Sequence, residues 1–150
     1  MHELTVLADY HQVCVVDDAA VADFGDAWSE PAVRLGLAVQ PGGFAFATWR
    51  NVTVPVAVSV LEHEPVIDLP AWDRVVRGSI DVAGDALVIY GPSDRRADAP
   101  RVSIASGTHR FAVCSAGRAT VSVDGLDGSD HYFVAVWPGA PTPVAQITRG

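Results

Sequence analysis

Three aspartates, Asp124, Asp127 and Asp130, stand among Gly125 and Gly128, and a tight turn that gathers carboxylate oxygens is what a hard cation such as calcium requires. Their spacing departs from an EF-hand loop, where ligands fall at alternate positions and a Glu closes the set. Asp and Gly in this arrangement serve equally well as an ordinary turn between strands. The histidines, His2, His11, His63, His109 and His131, offer imidazole nitrogen to a transition metal, but no two are spaced i, i+2 or i, i+4 as ligands on one face would be. A metal site is open only if His11, His109 and His131 meet across neighbouring strands.

Other chemistry is equally thin. Glu62, Glu64 and Asp68 are close enough in sequence to suggest acid–base work on a glycosidic bond, yet around Pro65 they read as a solvated loop. Ser115, beside Cys114, has no evident base, and no Gly-x-Ser-x-Gly elbow, P-loop or dinucleotide fingerprint occurs. The expectation is a non-enzymatic protein with no catalytic residue, no metal ligand set and no cofactor.

The elements that must position these residues follow from hydrophobic alternation. Leu4 to Val16 reads as one long strand with apolar residues on both faces, ended by Asp17-Asp18 and an acidic loop through Asp23 and Asp26. A short helix is expected near residues 30–36: Ser29 is the N-cap, Glu30 and Pro31 fill the first turn, Trp28 and Val33 have the spacing of a hydrophobic staple, and Gly36 stops it. Gln40-Pro41-Gly42-Gly43 marks a turn, after which Phe44 to Trp49 alternates strictly. Val52 to Val60 carries a pure Val face, and Pro55 within it predicts an edge strand or a bulge. Trp72 to Val82 and Ala86 to Tyr90 read as a hairpin about Ala83-Gly84-Asp85. Gly91 to Pro100 is a loop, and strands are expected over Arg101–Ala105, Thr108–Cys114 and His131–Trp137, with a last edge strand over Val144–Ile147. About eight strands separated by Gly, Pro and Asp turns, with no βαβ alternation, predict an all-β fold: a two-sheet antiparallel β-sandwich forming a single domain over residues 1–150.

Composition bounds the function. The chain has 150 residues, 49 % of them hydrophobic, which suffices for a core without disulfides. Eighteen acidic against ten basic residues give a net charge of −8, which repels phosphate backbones and anionic membranes and attracts a basic partner protein. No direct nucleic-acid or membrane binding is expected. Met1 to Val6 lacks the basic and apolar regions of a secretory signal, and every apolar run is broken well short of a membrane span. A cytoplasmic location is therefore expected, with Cys14 and Cys114 reduced and buried as small hydrophobes. Trp28, Trp49, Trp72 and Trp137 are scattered; they fit the core or the open ends of a sandwich, and two exposed side by side would instead make a stacking surface for sugar rings.

One resemblance runs through this pattern. Tyr10-His11-Gln12, Trp28-Ser29 followed by Ala32-Val33, Gly43 with Phe44 and Phe46, and Arg50-Asn51 occur in the order found in the competence protein J family, small bacterial inhibitors of a nuclease of DNA uptake. Ser106-Gly107-Thr108-His109-Arg110 and Asp130-His131-Tyr132 extend the resemblance over most of the chain, while the segments 62–73 and 93–100 and the Pro-rich end depart from it. The resemblance implies a protein that occludes a nuclease without turnover of its own. A nuclease that grips DNA presents a basic cleft, so the loop carboxylates Asp17, Asp18, Asp23, Asp26, Asp124, Asp127 and Asp130 are candidate contacts. Tyr10, His11, Gln12, Trp28, Arg50 and Asn51 are the residues that carry the resemblance. On a continuous strand, alternation places Tyr10 and Gln12 on one face and His11 on the other. Gln12 and Asn51 would bond buried backbone and Arg50 a carboxylate, or they would bind the partner. A small-molecule or carbohydrate-binding module is the alternative function.

Overall fold

The computed structural model describes residues 1–147. Its strands are β1 (His2–Leu7), β2 (Gln12–Asp17), β3 (Leu37–Gln40), β4 (Gly43–Ala47), β5 (Thr53–Val60), β6 (Arg74–Val82), β7 (Ala86–Tyr90), β8 (Arg101–Ser103), β9 (Gly107–Ala116), β10 (His131–Pro138) and β11 (Ala145–Gln146), with one helix, α1 (Glu30–Leu35). They form two sheets, one ordered β1-β5-β10-β9-β6-β11 and the other β3-β4-β2-β7-β8. The fold is all-β and two-layered as the alternation predicts. Neighbouring strands run antiparallel except β5 and β10, which pair in parallel from Val56 opposite Tyr132.

The core lies between the sheets. Val13, Val15, Phe44 and Phe46 face Val54, Val56, Phe111 and Val134, and the Phe44 and Phe111 rings stack 3.7 Å apart at their centroids. Fully burying such side chains contributes about 1.5–3 kcal/mol each. Each sheet is also covered on its outer face. Phe24, Trp28 and Ala32 lie over Cys14, Val16 and Ala45 on one side, and Ile67, Leu69 and Trp72 lie over Val75, Cys114 and Ala135 on the other. The long connections that look like loops in the sequence are therefore lids on the sheets. Burial pushes both thiols, Cys14 and Cys114, up to about 12.

α1 forms where its caps place it. Ser29 Oγ accepts from the Ala32 N–H at 3.3 Å, and Gly36 closes the helix at φ 75°, its N–H bonding Ala32 O. A left-handed cap of this kind favours glycine.

Four expectations change. The strand expected over Leu4 to Val16 is two strands in opposite sheets, joined by a crossing at Ala8 to His11. The hairpin expected about Ala83-Gly84-Asp85 is also a crossing, because β6 and β7 belong to different sheets. Pro55 lies on β5, which has neighbours on both sides rather than standing at an edge. It sits opposite Thr5 of β1, one residue before the β10 ladder begins, where its missing N–H breaks no parallel pairing. β3, unforeseen as a strand, forms the outer edge of its sheet beside β4. Among the described residues, no helix is long and apolar enough to cross a membrane.

Candidate functional site

The seven loop carboxylates divide by burial. Asp17 is 2 % exposed and accepts from the N–H groups of Ala83 (2.7 Å), Gly84 (3.0 Å) and Ala19 (3.1 Å). Burial pushes its carboxyl up, but those three donors, with Arg96, outweigh burial and hold it below the usual range. Asp17 thus pins the β6–β7 crossing. Asp130 is 0 % exposed and accepts from the Arg50 guanidinium, the Arg50 N–H and the Tyr132 hydroxyl. Burial raises its carboxyl and these donors lower it further than burial raises it. Asp17 and Asp130 are therefore corrected from surface contacts to internal anchors. A charge enclosed with its donors has nothing left to offer a partner.

The remaining five lie outside. Asp18 pairs with Arg101 at 3.2 Å. Asp23 accepts from Gly25 N–H at 3.0 Å, and Asp124 accepts from Ser122 Oγ and from Leu126 N–H at 3.0 Å, both as turn-forming side chains. Asp26 and Asp127 are exposed. Asp130 faces inward from the turn that holds Asp124 and Asp127, so the three carboxylates do not converge. Among the described residues, no group of three or more His, Cys, Asp or Glu side chains is placed to hold a metal ion.

The residues of the family resemblance meet at one corner of the sandwich. Tyr10 (φ 56°) and His11 (φ 57°) both adopt the left-handed region, a conformation that costs an L residue roughly 1–3 kcal/mol. His11 is held by its neighbours: its N–H bonds Ala8 O at 3.1 Å and Asn51 Oδ1 at 3.3 Å, its carbonyl accepts from Thr48 N–H at 2.9 Å, and its ring Nδ1–H donates to Thr48 O at 3.1 Å. Tyr10 is 76 % exposed. Trp28 Nε1–H donates to Gln12 Oε1 at 3.0 Å. Tyr10, His11, Gln12, Trp28, Val33 and Ala47 line one groove of about 260 Å³. The strand alternation that separated His11 from Tyr10 and Gln12 does not apply, because the first two lie in a turn.

Asn51 extends the corner. Its N–H bonds Gly125 O at 2.9 Å, which sets the 122–126 turn beside His11; a Cβ at Gly125 would lie 3.4 Å from the His11 ring. Val123 and Leu126 project from that turn, 110 % and 50 % exposed. Beneath it, Arg50 is committed to Asp130, and Trp49 N–H donates to Tyr132 Oη at 2.7 Å. The Trp49 ring carries two guanidinium groups, Arg74 at 5.3 Å and Arg118 at 5.8 Å from its centroid. Sequence reasoning missed Val123, Leu126, Arg74 and Arg118. Alternation along β6 does place Arg74 on the inward side with Val76, Ile80 and Val82, a charged residue at a core position.

A second concavity, about 630 Å³, lies on the outer face of the larger sheet. Glu3, Pro55, Ala57, Trp72, His131 and Phe133 are among its lining residues. The Trp72 ring lies 5.6 Å from that of His131 and stacks at 6.3 Å on that of Phe133. Among the described residues, no two tryptophan rings pair, so the side-by-side sugar platform is not formed.

No family profile matches this chain. No curated protein matches it either. Solved structures do. ComJ from Bacillus subtilis, described as the inhibitor of the DNA degrading activity of NucA, superposes with a TM-score of 0.72 at 15 % identity, over 91 % of this chain and 95 % of ComJ. The product of crocagin biosynthetic gene J superposes with a TM-score of 0.63 at 13 % identity, over 92 % of this chain and 96 % of its own. At these identities the likeness is one of architecture: this chain has the fold of ComJ.

Proposed function

We propose that this protein acts without turnover by binding another protein, a nuclease, through the corner built from Tyr10, His11, Asn51 and the 122–126 turn. The observation that carries the reading is the pair of left-handed residues at Tyr10 and His11. Strain at two successive non-glycine positions persists only where the surroundings enforce it, and here it holds a bare tyrosine beside a groove. An aromatic anchor next to a half-open pocket, with Val123 and Leu126 exposed nearby, has the character of a protein-binding hot spot. The similarity to ComJ, whose description is that of a nuclease inhibitor, supports the nuclease as the partner class. The net charge of −8 favours a partner with a basic surface. Asp26 and Asp127 are the exposed carboxylates best placed to meet it, with Asp18, Asp23 and Asp124 partly committed to Arg101 and to their own turns.

The test is capture of partners from the organism that encodes the protein, followed by a DNA-degradation assay on the captured material. Stoichiometric suppression of nuclease activity by added protein is the expected result. Captured nuclease that degrades DNA equally well at saturating protein would refute the reading.

A small-molecule module is the second reading, favoured by the apolar concavity over Trp72 and Phe133, whose volume lies in the range of ligand sites. It predicts a thermal upshift with small apolar compounds that Trp72→Ala abolishes.

A further inference from the structure

Beneath the corner described above, two guanidinium groups, those of Arg74 and Arg118, form no ion pair among the described residues. Arg74 extends from β6 in one sheet across to the other, where its Nη2 donates to Ala47 O at 3.3 Å. Its Nε is sealed from solvent and has no hydrogen-bond partner. Arg118, at the end of β9, is exposed. Both guanidinium groups lie over Trp49, at 5.3 and 5.8 Å. Among the described residues, neither has a carboxylate within 4.0 Å.

This arrangement is costly for the folded chain. A partly buried cation without a counter-ion loses hydration and recovers only part of it from the indole face. Burial lowers the affinity of Arg74 for its proton, and the neighbouring Arg118 charge lowers it further against an opposing effect of Tyr132. Asp73, the residue before Arg74, spends its carboxylate on the Arg118 backbone N–H at 3.0 Å and forms no ion pair with either guanidinium. Room for the Arg74 guanidinium is also kept open by Gly36, where a Cβ would stand 2.5 Å from Arg74 Cζ. Uncompensated charge maintained beside an exposed surface is a feature of sites whose counter-charge arrives with a ligand.

The geometry points to an oxyanion subsite at Arg118, Trp49 and Arg74 that receives a carboxylate side chain of the protein partner. This rests on the corner being the interface, and it adds a requirement on the partner: an Asp or Glu within an otherwise basic surface. A carboxylate is favoured over nucleic-acid phosphate because the net charge of −8 opposes a polyanion far more than it opposes one carboxylate presented by a basic protein. A guanidinium meets a carboxylate through two parallel N–H groups, and Trp49 supplies a flat wall that excludes water from the pair.

The subsite can be tested without the partner, so its failure and that of the interface reading are distinguishable. Arginine Nε–Hε NMR signals of the labelled protein are followed while sodium acetate replaces sodium chloride at constant ionic strength. A saturable shift of the Arg74 and Arg118 signals is expected, weakened roughly tenfold in Arg118→Gln and retained in part in Arg118→Lys. Arg118 is exposed, so both variants should fold; Arg74→Met provides a second loss-of-charge variant. Identical response to acetate and chloride would overturn the proposal. A single-stranded oligonucleotide that saturates the same signals at lower concentration than acetate would also overturn it, and would assign the subsite to phosphate.

Discussion

Arg50 and Asp130 form an ion pair inside the protein, the carboxylate fully enclosed and the guanidinium side chain 15 % exposed. The pair ties the end of β4 to the start of β10, and Tyr132 joins it by donating to Asp130 while accepting from Trp49. The corner proposed as the interface therefore stands on this ion pair and its hydrogen bonds. Burial, and after it Asp130, pushes the Tyr132 hydroxyl well above its usual range, so it stays a donor at all ordinary pH.

Removing one partner from such a pair leaves the other charged and enclosed. Asp130→Ala should lower stability by about 3–5 kcal/mol, measured by urea unfolding. A loss below about 1 kcal/mol, the scale of exposed pairs, would contradict the internal placement of Asp130.

Acid should unfold the protein through Asp17 and Asp130. Both carboxyls are held below their unfolded values, so the stability they contribute is complete above an unfolded pKa of about 3.9 and disappears as pH falls through their lower folded values. Urea unfolding as a function of pH should show a steep decline below about pH 4, reduced in Asp17→Asn. A profile in which Asp17→Asn leaves the decline unchanged would remove Asp17 from this role.

Gly91 sets how closely the 91–94 segment approaches β1. An added Cβ there would stand 1.6 Å from Leu7 O, and backbone on both sides leaves nothing to rotate away. Gly91→Ala should destabilise by about 3 kcal/mol or more, read as a fall in the thermal midpoint. An unchanged midpoint would show that the segment does not rest on β1.

Cys14 and Cys114 should resist thiol reagents in the folded state. Both are buried and raised to about 12, which leaves almost no thiolate near neutral pH. Labelling with a disulfide-exchange reagent should be slow until denaturant is added; rapid labelling of either thiol in buffer would contradict the packing of both outer faces.

The two-sheet architecture was legible because alternation survives in nearly every strand, and α1 was legible because Ser29 and Gly36 bracket it. The crossings were not, because apolar residues on both faces describe a strand covered twice as well as two strands in opposite sheets. A signal was present: inward residues are even-numbered through Leu4, Val6 and Ala8 and odd-numbered through Val13 and Val15, and that change of parity marks the turn at Tyr10 and His11. Asp17 and Asp130 read as loop chemistry because sequence does not reveal which turn folds inward. Arg74 and Arg118 are far apart along the chain; the pairing of β6 with β9 brings them together, and the packing of the two sheets sets them against Trp49, which follows β4.

Binding of the proposed nuclease partner should weaken as salt rises, since steering by net charge is screened. Affinity at several ionic strengths measures this, and a constant value from low to high salt would argue against a charge-guided encounter.

The most direct measurement is hydrogen–deuterium exchange on the complex with the captured nuclease, comparing the native protein with Tyr10→Gly. Glycine accepts the left-handed conformation, so this variant should fold with a stability change below about 1 kcal/mol, while losing the aromatic anchor should weaken binding by about 2 kcal/mol or more. Protection confined to Tyr10–Gln12, Asn51 and the 122–126 turn, together with that loss, is the predicted result. Protection over β1, β5 and Trp72 instead, with Tyr10→Gly binding as tightly as the native protein, would contradict the account.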